Sequence, residues 1–446
     1  MKHLFYFVFI TFLSVPFSVK LCAKTEVFSK ADMVKLLEKQ GVKFTDNNDI
    51  VFFHTGQAKF NDLFKAVRQA KSSIHMEYFN FRDDSIANAL FSLLAQKVKE
   101  GVEVRLIYDA FGNASNNKPI KHKKLQQIRD SGIKIYEFDP IVFPWVNHIT
   151  PRDHRKIVII DGKTAYSGGM NVADYYIKGK PDIGSWHDIH YRIEGDAVAE
   201  YQSIFLRMWK KVSGEDVSGT KYYPGESFKC NALKGLEEDT TATAGKKRIG
   251  IINREPHTSP KIIRRTFLYA IHSAQHLIQI INPYFTLNGS IRRALKNAIK
   301  RGVEVEIMVS EKSDIPITPR IVDYEVRQLM KAGAEVYFYQ GGFHHSKIMM
   351  IDGELSYVGS ANLDSRSLRC DYECNALILD AASTHELQNI FNHDKIFKSV
   401  RLTDEYWKKR PHWKNFQSWF YHFLAPVVYV QPTKSDEHLC EKTLVL

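Results

Sequence analysis

Short apolar runs alternate with amphipathic stretches along the chain, and this alternation predicts strands separated by helices. Residues 74–79 have the apolar character of a buried strand. A helical stretch then ends at Gly101, a residue that favours a helix C-cap, and an apolar strand follows it. A second helix and strand occupy 125–130 and 133–136, and 155–160 forms one more strand. The predicted order is therefore strand, helix, strand, helix, strand, strand.

The second half of the chain repeats this pattern. Residues 280–285 match the first strand, and a helix ends at Gly302 before the next strand. Residues 326–331 and 335–338 give the second helix and strand. Each half therefore predicts a lobe with a mixed β-sheet flanked by helices. The predicted fold class is α/β, with two pseudo-symmetric lobes.

One motif occurs late in each half, in the form H-x-K-x4-D followed by G-G/S-x-N. Matching residues of the two copies are separated by 191 positions, as from 154 to 345. Agreement at five positions with one separation indicates an internal duplication. The residues concerned are His154, Lys156, Asp161, Gly162 and Asn171 in the first copy, and His345, Lys347, Asp352, Gly353 and Asn362 in the second.

Composition shifts along the chain predict its domain organisation. An apolar run at 4–19 follows Lys2. It is shorter than the about 20 residues of a membrane span, so it predicts a secretory signal peptide, with an uncleaved membrane anchor as the alternative. The predicted parts are a signal peptide or anchor at 1–24, a first lobe at 25–212, a linker at 213–247, a second lobe at 248–402 and a basic, aromatic tail at 403–446.

The first lobe carries an insertion. Gly101 and His154 are 53 positions apart, whereas Gly302 and His345 are 43 apart, which places ten extra residues within 110–150. This stretch includes an apolar and aromatic loop at 138–145. Two interpretations of the loop stay open: it overhangs the cleft or touches lipid, or it packs on its own lobe.

Charge and cysteine content indicate which partners and which kinds of site the chain is expected to have. The 446 residues are 44% hydrophobic and 25% charged, with a net charge of +12, which is an ordinary globular composition with a preference for anionic partners. Five cysteines are too few for a disulfide framework in a chain of this length. Neither the cysteines nor the histidines show metal-ligand spacing, so no metal and no cofactor are predicted.

The repeated motif places matched chemical groups on each lobe. Side chains alternate along a strand, so His154 and Lys156 share one face, as do His345 and Lys347. Two imidazoles and two ammonium groups around one hole suit a phosphodiester, because the cations stabilise the charge of a five-coordinate transition state. One imidazole then attacks phosphorus while the other protonates the leaving alcohol. Further phosphate-binding donors are predicted at Asn171, Asn362 and Ser360.

Each catalytic imidazole needs an acceptor that orients its second nitrogen. Asp188 lies about 30 residues after His154, on a predicted strand, and is the candidate for the first lobe. Glu373 lies at a similar distance after His345 and is the candidate for the second lobe. Two unrelated surface carboxylates are the alternative.

The paired H-x-K-x4-D motifs resemble the HKD signature of the phospholipase D superfamily, over residues 45–400. Residues 152–162, 168–174, 186–188 and 359–367 are similar to cardiolipin synthases. The resemblance implies one active site at the interface of the lobes and a histidine nucleophile, carried here to His154. It also implies that Asp161 and Asp352 are mainly structural. The substrate that the resemblance implies is an anionic phospholipid, phosphatidylglycerol. Two molecules of this lipid would react through a phosphohistidine intermediate and give cardiolipin and glycerol.

Other substrates of the same chemistry stay open, namely water as the acceptor in a hydrolytic phospholipase D, or nucleic acid in a nuclease. Two features favour lipid over nucleic acid. One is the export segment, which predicts an exported or membrane-associated protein on the periplasmic side. The other is the tail, where Trp413, Phe416, Phe420 and Phe423 recur at helical spacing near Lys and Arg, as in an interfacial anchor. A helix packed on the core is the alternative for the tail. The sequence predicts no oligomeric state.

Overall fold

The computed structural model describes residues 28–140, 151–224 and 246–429. Its strands are β1 Phe44–Phe53, β2 Ser73–Tyr78, β3 Glu103–Asp109, β4 Lys134–Phe138, β5 Lys156–Ile160, β6 Thr164–Gly168, β7 Trp186–His187, β8 His190–Gly195, β9 Lys247–Arg254, β10 Leu277–Ile281, β11 Glu304–Ser310, β12 Glu335–Tyr339, β13 Phe343–His344, β14 Ile348–Ile351, β15 Leu355–Gly359, β16 Glu373–Leu379 and β17 Ser399–Arg401.

Helices cover the sheets and close the chain. They are α1 Lys30–Glu38, α2 Gly56–Gln69, α3 Ser85–Lys99, α4 Ala110–Ala114, α5 His122–Asp130, α6 Tyr175–Lys178, α7 Val198–Ser213, α8 Ile262–Ser273, α9 Gly289–Lys300, α10 Thr318–Met330, α11 Ser365–Arg369, α12 Ala381–Phe397, α13 Asp404–Lys409 and α14 His412–Tyr429.

Each lobe contributes a half-sheet with the same internal order. The first runs β1-β8-β6-β5-β2-β3-β4, and the second runs β9-β16-β15-β14-β10-β11-β12, with β17 at its outer edge. Strands β2, β3 and β4 of the first half-sheet are parallel to one another, as are β10, β11 and β12 of the second. The next strand inward, β5 or β14, pairs antiparallel with β2 or β10. Parallel strands need crossover connections, which the helices between them supply. The predicted α/β fold of two pseudo-symmetric lobes is confirmed.

The two half-sheets are joined edge to edge. Strand β1 pairs antiparallel with β8 of its own lobe and with β9 of the other, which gives a continuous 15-stranded sheet. A cluster of buried side chains from both lobes lies under this junction, including Trp209 of α7 and Phe391 of α12. The apolar surface buried there holds the lobes in one orientation, so a site at their interface has fixed walls.

Several predicted segments lie partly or wholly outside the described residues. These are the N-terminal 1–24, residues 141–145 of the aromatic loop, residues 225–245 of the linker and residues 430–446 of the tail. The linker residues before that gap pack on the first lobe, where the Tyr222 ring lies 5.4 Å from that of His75. No helix within the described part of the chain is both long enough and apolar enough to cross a bilayer.

The tail forms α13 and α14, and α14 packs along α10. The His422 ring stacks on Tyr324 with centroids 4.0 Å apart, and Gln417 accepts a hydrogen bond from Arg320. The opposite face of α14 is exposed and aromatic, at Trp413, Phe416, Trp419 and Phe420. The tail helix α14 therefore has one face packed against the second lobe and an opposite face that is exposed and aromatic.

Candidate active site

The two motif histidines lie where the lobes meet, each held by a backbone hydrogen bond from the other lobe. The N–H of His154 donates to the carbonyl of Tyr372 at 3.0 Å. The N–H of His345 donates to the carbonyl of His187 at 2.6 Å. Next to the second bond, β7 and β13 form a short parallel ladder between the lobes. The motif segments are therefore part of the interface itself.

The carboxylates predicted to orient the histidines also cross the interface. Nδ1 of His154 lies 3.0 Å from Oε1 of Glu373, and Nδ1 of His345 lies 2.6 Å from Oδ2 of Asp188. Asp188 and Glu373 both contact motif histidines, but the predicted pairing within each lobe was wrong, because each carboxylate contacts the histidine of the opposite lobe. Their role in orienting the imidazoles stays a prediction. Each carboxylate leaves Nε2 of its histidine available for chemistry.

The two carboxylates have different surroundings. Burial acts to raise the pKa of Glu373, but His154, Lys156 and a hydrogen bond from Ser360 outweigh burial and bring the pKa to about 2. Burial raises the pKa of Asp188 to about 6, against the opposing effect of Lys347. Glu373 is therefore a fixed negative charge, whereas Asp188 is much closer to sharing a proton.

Ser360 does not occupy the position predicted for it. Its hydroxyl is completely buried, donates to Oε2 of Glu373 at 2.5 Å and accepts from the N–H of Cys374 at 3.0 Å. A hydroxyl held in this way faces the carboxylate and cannot also bind a phosphate. The prediction of Ser360 as a phosphate ligand was wrong, and its contacts indicate that it positions Glu373.

The two lysines lie in the desolvated centre of the site. Each Nζ donates to the carbonyl of its own motif histidine at 2.5 Å. Burial lowers the pKa of Lys156 to about 7 and that of Lys347 to about 8. The charge of Lys347 also lowers the pKa of Lys156, which shows that the two motifs converge on one site. Two crowded ammonium groups favour an anionic ligand between them.

The pKa values of both imidazoles are lowered in the unliganded site. Burial and the neighbouring Lys156 lower the pKa of His154 to about 4, although Glu373 opposes them. Burial and Lys347 lower the pKa of His345 well below its usual range. A neutral imidazole can attack phosphorus, and a bound anion would raise both values because it favours the imidazolium.

Asn171 and Asn362 follow β6 and β15 on the glycine-containing loops. Both side chains are 5% exposed, and within the described residues the amide oxygen of each lacks a hydrogen-bond partner. Nothing in the contacts of these amides tests the prediction that they bind phosphate, and it stays a prediction.

Asp161 and Asp352 lie at the opposite ends of their strands from the lysines. Five residues of strand separate Asp161 from Lys156, a distance of roughly 16 Å. The Asp161 carboxylate accepts N–H bonds from residues 71–73, and Asp352 accepts them from 275–277. These contacts fix the turns that begin β2 and β10. Both carboxylates are therefore structural groups that lie far from the lysines of the site.

Sequence reasoning missed the aromatic side chains that cover the imidazoles. The Phe79 ring meets His154 edge-on with centroids 5.1 Å apart. Tyr284 and Trp186 contact His345 at 5.9 Å and 5.4 Å. The only sequence signal was their position just after or within apolar strands, which is equally typical of core residues.

Among the described residues, acidic, histidine and cysteine groups close enough to share an ion occur only at Glu304, Glu306 and Glu335. These lie on β11 and β12, where Lys395 pairs with Glu306 and Arg401 with Glu335. The cations at the phosphate site are the two lysines.

Comparison with known proteins agrees with this geometry. Residues 63–209 and 267–395 match the family described as cardiolipin synthase, PLD-like domain. The chain belongs to this family. The two matched segments contain both H-x-K-x4-D motifs, so the family resemblance inferred from the motifs is confirmed.

Relatives within the family cover most of the chain. A cardiolipin synthase of Oceanobacillus iheyensis is 33% identical over 404 residues, which cover 90% of this chain and 80% of that protein. A probable cardiolipin synthase of Bacillus subtilis is 36% identical over 351 residues, which cover 78% and 66%. The fold is similar to that of a phosphatidylserine synthase from Haemophilus influenzae, with a TM-score of 0.64, 14% identity, and coverage of 88% of this chain and 97% of that one.

Proposed function

We propose that this protein is a cardiolipin synthase, which transfers a phosphatidyl group from one phosphatidylglycerol to another and releases glycerol. The observation that carries the proposal is the convergence of two histidines and two lysines at one lobe interface, in a member of the cardiolipin synthase family. Such a set cleaves and re-forms a phosphodiester without net hydrolysis when the acceptor is an alcohol.

The first half-reaction cleaves the donor lipid. Nε2 of His154 attacks phosphorus and forms a P–N bond as the P–O bond to the glycerol headgroup breaks. His345, protonated at Nε2, transfers that proton to the leaving oxygen, which departs as glycerol. Glu373 stabilises the positive charge that develops on His154, because it is ionised and lies 3.0 Å from Nδ1.

The second half-reaction uses the headgroup of another phosphatidylglycerol. Nε2 of His345, now neutral, takes the proton from a glycerol hydroxyl of the acceptor. The alkoxide oxygen attacks phosphorus, the P–N bond to His154 breaks, and cardiolipin forms. His345 is protonated again at the end, so one proton is used and returned in each cycle.

The transition-state charge falls on the non-bridging oxygens of phosphorus. Lys156 and Lys347 provide the ammonium groups for these oxygens, and Asn171 and Asn362 provide amide N–H groups. Donors already fixed in a site of low dielectric contribute several kcal/mol to such a step, because they need no reorganisation.

A lipid substrate implies work at a membrane surface, and α14 provides a face for it. Trp413, Phe416, Trp419 and Phe420 are 43–62% exposed on one side of this helix. Lys408, Lys409 and Lys414 flank them in the sequence. Aromatic rings with nearby cations match the headgroup region of an anionic bilayer. The exposed aromatic face of α14 therefore supports the proposal that the enzyme works at a membrane surface.

The deciding measurement is lipid mass analysis after the purified protein is incubated with phosphatidylglycerol and EDTA. We expect cardiolipin and glycerol in equal amounts, and neither product from His154→Ala. Phosphatidic acid alone would instead identify a hydrolytic phospholipase D. Cleavage of a fluorescent oligonucleotide with no lipid product would contradict both lipid activities.

A further inference from the structure

The two catalytic imidazoles are covered by chemically different aromatic rings. Phe79 contacts His154 and offers no hydrogen-bonding group. Tyr284 contacts His345 at an interplanar angle of 84° and carries a hydroxyl. The two sides of the phosphate site therefore differ in polarity although the motifs themselves match.

Tyr284 leads to a carboxylate at the surface. Its hydroxyl donates to Oδ1 of Asp314 at 2.7 Å. Asp314 is exposed, in the segment between β11 and α10. Its negative charge acts on His345 and Lys347, raising the pKa of each against the larger effect of burial. Asp314 thus lies on the His345 side of the site and keeps acceptor capacity for a ligand.

A cation completes this group of residues. Nζ of Lys180 lies 4.5 Å from the ring centre of Trp186 and 4.9 Å from that of Tyr175. Burial lowers the pKa of Lys180, and the negative charge of Asp314 opposes this effect. Trp186 and Tyr284 both contact His345, so Lys180 is linked to this imidazole through the Trp186 ring, and Asp314 is linked to it through Tyr284.

We propose that Asp314, Tyr284 and Lys180 form a subsite for the polyol headgroup of the phospholipid. This inference rests on the proposed function. Neighbouring hydroxyls both donate and accept, which matches a carboxylate beside an ammonium. An anionic headgroup would be repelled by Asp314, and a cationic headgroup would be repelled by Lys180. An acyl chain would leave both charges without partners.

The subsite also separates the roles of the two histidines. A leaving group departs in line with, and opposite to, the attacking nucleophile. A glycerol headgroup held by Asp314 lies beside His345, so His345 is its proton donor and His154 is the nucleophile. In the second half-reaction, the same residues hold an acceptor hydroxyl against His345 in place of water.

The test compares Asp314→Asn and Tyr284→Phe with the wild-type full-length protein on phosphatidylglycerol vesicles. We expect the ratio of cardiolipin to phosphatidic acid to fall about tenfold in Asp314→Asn, as for a lost hydrogen bond to a charged group, and less in Tyr284→Phe. Hydrolysis of bis(p-nitrophenyl) phosphate should fall by a smaller factor than phosphatidyl transfer, because this substrate has no headgroup hydroxyls for the subsite, whereas the charge of Asp314 still acts on His345 and Lys347. Glu311→Gln, an exposed carboxylate in the same segment, is the matched control and should behave as wild type.

The remaining outcomes would contradict either the subsite or the proposed function. An unchanged product ratio in both variants, with a wild type that makes cardiolipin, would overturn the subsite. An equal loss of bis(p-nitrophenyl) phosphate hydrolysis would also overturn it, because Asp314 would then act on the reaction centre. If the wild type makes only phosphatidic acid, the proposed function fails. The subsite is then judged by KM, which Asp314→Asn should raise for phosphatidylglycerol but not for phosphatidylethanol, whose headgroup has no further hydroxyls.

Discussion

The two half-sites match on the face toward the phosphate and differ behind it. The residue between the histidine and lysine is Arg155 in the first motif, and its guanidinium is almost completely buried. Nε of Arg155 lies 2.6 Å from Glu77 and 3.1 Å from Asp153, and the guanidinium lies 5.0 Å from the ring centre of Tyr372. Charge and aromatic contacts fill the space behind His154.

The matching residue of the second motif is Ser346, which fills no such space. Within the described residues its buried hydroxyl has no hydrogen-bond partner, and it lines a cavity of about 450 Å³ together with His187, His344 and Asp394. The counterpart of Glu77 is also changed. Glu77 pairs with Ile157 in β5, whereas Ile281 pairs with Ile348 in β14.

The orienting carboxylates differ in a related way. Ser360 supports Glu373 in one half-site, whereas Gly169 stands beside Asp188 in the other, where an added Cβ would lie 2.2 Å from Oδ1 of Asp188. The duplication has therefore kept the groups that we propose contact phosphate and changed the residues that support them. The first half-site has the more rigid and more strongly ionised support, as a nucleophile requires.

The largest expected effect separates the histidines by their chemistry. Both His154→Ala and His345→Ala should lower cardiolipin formation by at least about 10³-fold, because each removes a nucleophile or a proton donor. On bis(p-nitrophenyl) phosphate, whose leaving group needs no proton, His345→Ala should still release a burst of nitrophenol equal to the enzyme concentration. His154→Ala should release none. Stopped-flow absorbance measures both, and a burst from His154→Ala alone would reverse the assignment.

The next effect is on folding and tests the buried charges behind His154. Arg155→Met leaves Glu77 and Asp153 without their cation, which should cost about 3–5 kcal/mol in the free energy of unfolding. Ser346→Ala removes a hydroxyl without a partner and should cost less than about 1 kcal/mol. Urea denaturation of both variants gives these values. Equal losses would show that the charge contacts contribute little.

The Arg155→Met loss should depend on pH. Burial already raises the pKa of Glu77, and Arg155 opposes that rise. Without the arginine, the folded state binds a proton at Glu77 that the unfolded state has released. The stability of the variant relative to wild type should therefore fall as pH rises above the usual pKa of a glutamate. A loss that is constant with pH would place the effect on packing instead.

Much of this organisation was visible in the sequence because it depends on local patterns. Strands β2–β5, β11, β12 and β14 with their crossover helices follow from apolar runs and glycine C-caps, whereas β10 begins and ends earlier than the predicted 280–285. Strand β1 does not, because Asp46, Asn47, Asn48 and Asp49 interrupt its apolar pattern and its partners are distant in the chain. Pairing over such separations is set by tertiary contacts.

The sequence predicted which carboxylates lie at the site, but it did not predict which histidine each one contacts. Spacing identified Asp188 and Glu373, but sequence distance suggested the histidine of the same lobe, and only the intertwined interface shows the exchange. Ser360 was misplaced because the direction of a side chain on a glycine-containing loop has no periodic signal. Tyr284 and Asp314 were missed because neither belongs to the repeated motif.

A smaller effect concerns pH and both half-sites together. Burial lowers the pKa of Lys156 to about 7 and of Lys347 to about 8, so their ammonium forms predominate below these values and are lost above them. The rate of phosphatidyl transfer should fall as pH rises through about 7–8, with bound phosphate moving the fall upward. In Lys347→Met, the charge that lowers the pKa of Lys156 is absent, so the residual activity should fall at higher pH than in wild type. A fall at lower pH would show that the two lysines do not interact.

The smallest effects come from the residues that support the carboxylates, and they test whether the two supports are interchangeable. Gly169→Ala forces Asp188 to move and weakens its 2.6 Å contact with His345, so the rate should fall about 100-fold, as for a misplacement of about 1 Å. Ser360→Ala removes one hydrogen bond from Glu373, which keeps its contact with His154, so the rate should fall only about tenfold. Steady-state rates with phosphatidylglycerol, and bis(p-nitrophenyl) phosphate hydrolysis as a second readout, measure both variants. If Ser360→Ala were the more damaging, the hydroxyl would contribute more than support of Glu373, and the phosphate contact that its geometry argues against would have to be considered again.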